Sequence, residues 1–173
     1  MANTKRRFII HHEAASVIEP HVWMGFSRNM GFSKGIMVNK TRNPIAENIE
    51  AYVITQTLEQ ALEMVRGATI VWVKPPESTP GSPKYRGFSS TKYDFSMLNE
   101  FEHPDDDNVV YVIGPDQWDL PSDTYINPND PKHKVVGIEI ERNSLWGIVA
   151  GSIIARDAYV KEVLSGKTRI VQD

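Results

Sequence analysis

Short apolar runs broken by turn residues recur along the chain, and their spacing predicts strands alternating with helices. Phe8-Ile9-Ile10-His11-His12 reads as a first strand, with Arg6 and Arg7 just ahead of it. Val17, Val22, Phe26 and Met30 form the apolar face of a helix over 16–30. Pro20 falls in its first turn, where a missing N–H is tolerated, and Gly31 suits its end. Gly35-Ile36-Met37-Val38-Asn39 predicts a second strand. The turn at Asn43-Pro44 opens a short helix over 45–49, and Tyr52-Val53-Ile54-Thr55 predicts a third strand.

Local chemistry is clearest in the next unit. Thr57-Leu58-Glu59-Gln60 is a capping box, with a threonine at the N-cap and a glutamine three residues on. Leu58, Ala61, Leu62 and Val65 follow at helical spacing, and Gly67 closes the helix. Thr69-Ile70-Val71-Trp72-Val73 is a fourth strand, stopped by Lys74-Pro75-Pro76. Strand, capped helix and strand at this spacing imply a βαβ unit and a parallel sheet.

Val109-Val110-Tyr111-Val112-Ile113 and Val135-Val136-Gly137-Ile138-Glu139-Ile140 are continuous apolar runs, as in strands buried on both faces. The first stops at Gly114-Pro115-Asp116. The second passes through Glu141-Arg142-Asn143 into a helix over 144–164 expected to bury Leu145, Ile148, Val149, Ser152, Ile153, Tyr159 and Val163. Between the two strands, residues 121–131 leave no room for a regular crossover helix. Gly147, Gly151 and Ala155 recur every four residues on the last helix. An internal glycine costs a helix roughly 1 kcal/mol against alanine, so the stripe implies close approach of another backbone or a ligand, or simple tolerance. Ser96 to Phe101 has room for one or two helical turns.

Two buried strands that empty into turns of Gly, Pro and polar residues make a crevice for a small ligand, the predicted functional site. From Pro75 to about Phe95 the composition shifts to Pro, Gly, Ser and Thr, with the cations Lys84, Arg86 and Lys92 and the aromatics Tyr85, Phe88 and Tyr93. Such a loop is either a mobile surface segment or a substrate loop, with cations for phosphates and rings for bases. Glu102 and Asp105-Asp106-Asp107 read as a solvated acidic turn, because they lack the spaced acceptors of a calcium loop. His11-His12-Glu13 does not suggest a metal site, since neighbours on a strand point to opposite faces. Trp118 and Trp146 stack on a base or belong to a core or interface.

Composition narrows the classes further. The chain has 173 residues, 40% hydrophobic and 24% charged, which fits one soluble α/β domain over 1–173. A formal net charge of −3 gives no global attraction to nucleic acid, so any such binding needs a local patch. There is no cysteine, which removes disulfides, thiolate metal sites and cysteine nucleophiles. No run approaches the ~20 apolar residues of a membrane span, and the cytoplasm is the expected location. Neither a phosphate loop of the Walker type nor a GxGxxG fingerprint occurs.

Taken in order, several strings resemble the SPOUT superfamily of knotted RNA methyltransferases, and within it the TrmH-like ribose 2′-O-methyltransferases. Asn29-Met30-Gly31-Phe32-Ser33-Lys34 before Ile36-Met37-Val38-Asn39 resembles the end of the first motif helix and the next strand. Thr57-Leu58-Glu59-Gln60-Ala61-Leu62 resembles the "sLeeAL" helix. Gly114-Pro115-Asp116-Gln117-Trp118-Asp119-Leu120-Pro121 is similar to the "GPExxGLP" loop, with aspartate for glutamate. Ser144-Leu145 and the helix through Asp157-Ala158-Tyr159 stand where the family has its last motif.

The resemblance implies a Rossmann-like parallel α/β sheet with a C-terminal trefoil knot, a homodimer, and S-adenosylmethionine as cofactor. It places Lys74, Pro75, Val112, Ile113, Gly114, Ile138, Ile140, Ser144 and Leu145 around the cofactor. A tRNA or rRNA substrate is implied, with Lys84, Arg86 and Lys92 binding it and no metal. The family's motif asparagines and arginine fall here on Glu19, Gly25 and Trp146, which departs from its pattern. Glu19, Arg28, Asp116 and Ser144 are the candidates for the chemistry, and Glu139 is a further carboxylate near the crevice. Two rivals remain: a binding protein on the same fold that has lost transfer chemistry, and an unrelated doubly wound enzyme for a small phosphorylated substrate.

Overall fold

The computed structural model describes residues 3–12, 20–39, 45–49, 52–76, 79, 81–84, 93–114, 122–139, 145 and 147–170. Its centre is a sheet in the order β3-β4-β2-β1-β7-β5-β8-β6, with β9 added on β1. The strands are β1 (Asn3–His11), β2 (Lys34–Val38), β3 (Ile45–Ile49), β4 (Tyr52–Thr55), β5 (Thr69–Val73), β6 (Phe95–Met97), β7 (Asn108–Ile113), β8 (His133–Gly137) and β9 (Thr168–Ile170). Every pairing is parallel except β3 with β4. The helices are α1 (Pro20–Asn29), α2 (Leu58–Met64), α3 (Ser122–Tyr125) and α4 (Gly147–Ala158).

Two cores follow from the period of two along each strand. Ile9, Met37, Val71, Tyr111, Ile113 and Val136 face one way, against Trp23 of α1 and Ala150, Ile154 and Ala155 of α4. Ile10, Ile36, Trp72, Val110, Val112 and Val135 face the other, against Leu58 and Ala61 of α2. Both faces are covered, which explains why these strands read as unbroken apolar runs. The capping box forms as its sequence predicts. Gln60 N–H donates to Thr57 Oγ1 at 3.2 Å, and Gln60 Oε1 accepts from Thr57 N–H at 3.2 Å.

Several expectations need correction. Residues 45–49 form a strand paired antiparallel to β4, because five residues give too few hydrogen bonds to offset helix nucleation. Phe95–Met97 is an edge strand on β8, with a turn only after it, in place of the helical turns expected from Ser96. As expected, the described part of the connection between β7 and β8 carries no regular crossover helix, only the four-residue α3. β8 ends at Gly137 rather than Ile140: a Cβ there would lie 2.6 Å from Phe95 Cζ and 2.7 Å from Pro76 Cγ, so side chains press on the backbone at that point.

The last helix is regular only from Gly147 to Ala158, and a π-helical turn, Tyr159–Val163, follows. Its wider winding carries Glu162 onto Lys5 and Arg7 and lets the Lys161 ammonium donate to the Leu98 and Phe101 carbonyls at 2.7 and 2.9 Å. The chain then adds β9, which pairs Thr168 with Asn3 and Ile170 with Lys5. The small residues of α4 do meet close neighbours, but these are side chains: Gly147 abuts the His11 ring, and Gly151 the Phe26 ring and Ile9.

Candidate functional site

All the parallel strands release their chain at one edge of the sheet, and four of them are adjacent there: β1, β7, β5 and β8. β1 continues to β2 on one side, whereas β7 continues to β8 on the other, so their ends form a topological switch point. Backbone bonds fix how the strand ends meet. His12 N–H donates to the Ile113 carbonyl at 3.0 Å, and Lys74 N–H to the Val136 carbonyl at 3.0 Å. Val73 lies between Ile113 and Val136 in register. Lys74-Pro75, Ile113-Gly114 and Ile138 therefore leave the sheet side by side.

Side chains at this edge are polar yet enclosed. His11, His12 and Lys74 are buried at the ends of β1 and β5, as are Asn39 and Thr55 at the ends of β2 and β4. The His11 ring lies 5.3 Å from that of Trp23. Ile113 and Ile138 belong to the apolar cluster under α4, and Leu145 packs against it. Pro75, Gly114 and Leu145 are half-buried. The chain after β5 folds back over the end of β8: Thr79 Oγ1 donates to the Pro75 carbonyl at 2.7 Å, and Lys84 pairs with Glu139 at 2.6 Å. Both members of that pair are partly exposed, so it is worth at most about 1 kcal/mol.

No protein-family model matches the sequence, and neither does any curated protein. Solved structures do match. One described by its 2-OH methylation of C/U34 on tRNA aligns with a TM-score of 0.60 over 92% of this chain and 92% of its own, at 12% identity. The SpoU methyltransferase AviRb from Streptomyces viridochromogenes gives 0.57 over 93% of this chain and 61% of its own, at 14% identity. An AdoMet-bound rRNA methyltransferase from Sinorhizobium meliloti gives 0.56 over 90% and 56%, at 12% identity. The chain shares the overall α/β fold of these proteins. At these identities the likeness is one of architecture.

On this fold, the residues expected around the cofactor divide into three sets. Lys74, Pro75, Ile113, Gly114, Ile138 and Leu145 come together at one edge. Val112 ends nearby, but its side chain is buried toward α2, which leaves only its backbone on offer. Ile140 and Ser144 lie outside the described residues, as do Glu19, Asp116, Arg86 and Lys92. Arg28 is exposed in the last turn of α1, beside the start of β2, so it is not brought to this edge. Among the described residues, nothing beyond its chain neighbours and own helix backbone lies within 4 Å of where a Gly25 Cβ would stand. Among the described residues no cluster of three His, Asp or Glu is spaced to hold a metal, and no helix is long and apolar enough to cross a membrane.

Two buried polar groupings were not anticipated. Lys5 and Arg7 share Glu162, with Lys5 Nζ 2.9 Å from Oε1 and the Arg7 guanidinium on Oε2. Burial, then the neighbouring guanidinium, hold the Lys5 ammonium below its ordinary pKa. The second is a chain: the His103 ring contacts Tyr111 Oη at 2.7 Å and Asp157 Oδ2 at 2.8 Å, and Lys161 meets that carboxylate at 2.9 Å. Burial pushes His103 down to about 4 and raises the Tyr111 phenol. A signal for the first was available: Lys5 and Arg7 alternate in step with Ile9, a core residue.

Proposed function

We propose that the protein methylates RNA, a tRNA or rRNA, at a ribose 2′-hydroxyl, with S-adenosylmethionine as donor. The observation that carries this reading is the meeting of the β5, β7 and β8 ends at one edge in a fold shared with RNA methyltransferases. In this reading the chain is a single domain whose C-terminal segment threads the knot of its family, and it works as a homodimer in the cytoplasm.

The residues at the edge fit the cofactor. Ile138 and Leu145 offer an apolar wall for adenine with the Ile113 side chain packed behind it, and Gly114 presents no side chain to a flat ring. Pro75, Val112, Ile140 and Ser144 complete the pocket. An ammonium at Lys74 suits the carboxylate of the methionine moiety and disfavours a sulfonium beside it. When bound, the cofactor supplies an electrophilic methyl group. The protein must hold the ribose oxygen in line and accept its proton. Asp116 and Glu19 are the proposed proton acceptors, and Ser144 orients the hydroxyl. Lys84, Arg86 and Lys92 are the proposed phosphate contacts.

One observation favours a second reading, a binding protein on this fold without transfer: Glu19, Gly25 and Trp146 occupy the positions of the family's motif asparagines and arginine. Titration calorimetry with S-adenosylmethionine and S-adenosylhomocysteine tests the pocket, and transfer of labelled methyl to bulk RNA tests the chemistry. Gly114→Leu is expected to abolish cofactor binding with the fold intact. Unchanged affinity in that variant would refute the pocket, and binding without transfer would favour the second reading.

A further inference from the structure

An ion pair closes the chain that follows β5 onto the end of β8. Lys84 Nζ donates to Glu139 Oε1 at 2.6 Å, and among the described residues each is the other's only ionic partner. Hydrogen bonds within the loop set the backbone behind Lys84. Thr79 Oγ1 donates to the Pro75 carbonyl at 2.7 Å, Ser82 N–H to the Thr79 carbonyl at 3.1 Å, and Lys84 N–H to Ser82 Oγ at 3.1 Å. Thr79 and Ser82 are buried, and Gly81, third in the turn that joins them, has the positive φ of 96° that such a turn requires. The start of the loop rests on β8 as well, since Pro76 Cγ lies 2.7 Å from where a Gly137 Cβ would stand. The fold therefore fixes where the Lys84 ammonium stands: beside the residue that follows Ile138.

The pair is built to be exchanged. The Lys84 side chain is 39% exposed and that of Glu139 62%, and an exposed pair of this kind shifts an equilibrium at most about fivefold. A phosphodiester offers the ammonium what the carboxylate does, a charged oxygen that accepts its N–H. Two anions side by side on one ammonium repel, so the exposed carboxylate swings out when a phosphate arrives. Neighbouring cations do not take it up. Lys74, one strand away, is buried and engaged, and Lys134 pairs with Asp94 at 2.7 Å. We propose that Glu139 is an internal competitor for RNA: in the free protein its carboxylate holds the place on Lys84 that a backbone phosphate takes when substrate binds. The contact is autoinhibitory. It shields Lys84 from loosely held polyanions, and RNA gripped by other contacts as well displaces it. The inference rests on the RNA-methylating reading for the identity of its partner.

Fluorescence anisotropy with a folded tRNA transcript, at several KCl concentrations, tests this. Glu139→Gln should bind the transcript about two- to fivefold more tightly than the parent at low salt. Lys84→Gln should bind more weakly, with a slope of log affinity against log salt lower by about 0.7–0.9 for the one phosphate lost. The control for overall charge is Asp107→Asn, an exposed carboxylate just ahead of β7, at the opposite edge of the sheet. In the Lys84→Gln background, Glu139→Gln should add no more than Asp107→Asn does. Circular dichroism should show every variant folded, because the side chains changed are exposed or partly so. A Glu139→Gln affinity no higher than the parent's would overturn the inference. So would an equal gain from Asp107→Asn, a gain that survives loss of Lys84, or a parent that binds no RNA. A Lys84-dependent gain without any methyl transfer would sink the transferase reading and leave the competitor standing. Intact transfer with no gain would do the reverse.

Discussion

Glu162→Gln should be among the most damaging single changes available to this protein, although it touches no part of the proposed cofactor edge. The Glu162 side chain is 8% exposed, and the two cations it faces, Lys5 and Arg7, are 1% and 6% exposed. At an effective dielectric of 20, a pair of unit charges 2.9 Å apart gains ~6 kcal/mol, and each buried ion loses several kcal/mol of hydration. The triad thus stands close to balance. Removing its buried anion leaves the two cations with weaker compensation, from the Pro104 carbonyl and the exposed Asp105, 3.8 Å from Lys5, and Asp106. A broken buried pair costs about 3–5 kcal/mol, which for a chain of this length lowers the melting temperature by roughly 10 °C. Urea unfolding followed by circular dichroism measures this, with the midpoint falling and the slope unchanged. The triple change Lys5→Met, Arg7→Met, Glu162→Leu should come within about 2 kcal/mol of the parent, because an apolar set of similar volume replaces the ions as a group. A Glu162→Gln loss below about 1 kcal/mol would refute this balance of hydration against attraction.

Three further outcomes are expected. Burial holds His103 at about 4 against an ordinary 6.5, so its contribution to stability is complete above pH 6.5 and is lost as pH falls toward 4. The shift corresponds to about 3 kcal/mol. Urea midpoints at pH 7, 5.5 and 4.5 should therefore draw His103→Gln and the parent together on acidification, and a constant gap would contradict the assignment. Gly137→Val forces a side chain into Phe95 and Pro76 and should cost about 1–3 kcal/mol, read as a lower urea midpoint. Thr57→Ala removes one half of the capping box and should cost about 1 kcal/mol by the same measurement.

What could be read from the sequence is what local chemistry dictates. Thr57 and Gln60 announce α2 because the cap needs only neighbours in sequence, and the runs at Thr69–Val73 and Val109–Ile113 announce strands covered on both faces. Thr168-Arg169-Ile170 is a strand only because Asn3 to Lys5 lie beside it, and three residues carry no period of their own. Ile45–Ile49 is likewise defined by pairing with β4. The π-helical turn depends on where Lys5, Arg7, Leu98 and Phe101 stand, all distant in sequence. At the candidate site, the motif strings point to the ends of β5, β7 and β8, since turns after buried strands are marked by Gly and Pro. Arg28 was expected near that edge from its position one turn past Gly25, but α1 runs away from the edge and carries it to the far end. The resemblance places Lys74 beside the cofactor, but only the packed sheet shows its side chain buried.

The pairing of Lys5 with Glu162 spans 157 positions, and this has a consequence during synthesis. At ~5–20 residues per second, the first strand waits on the order of ten to thirty seconds before its counter-charge has even been made. Until then, inserting Lys5 and Arg7 into the forming sheet is uphill. A nascent chain halted short of Glu162 should leave that end of β1 open to proteases, however complete the remaining strands are.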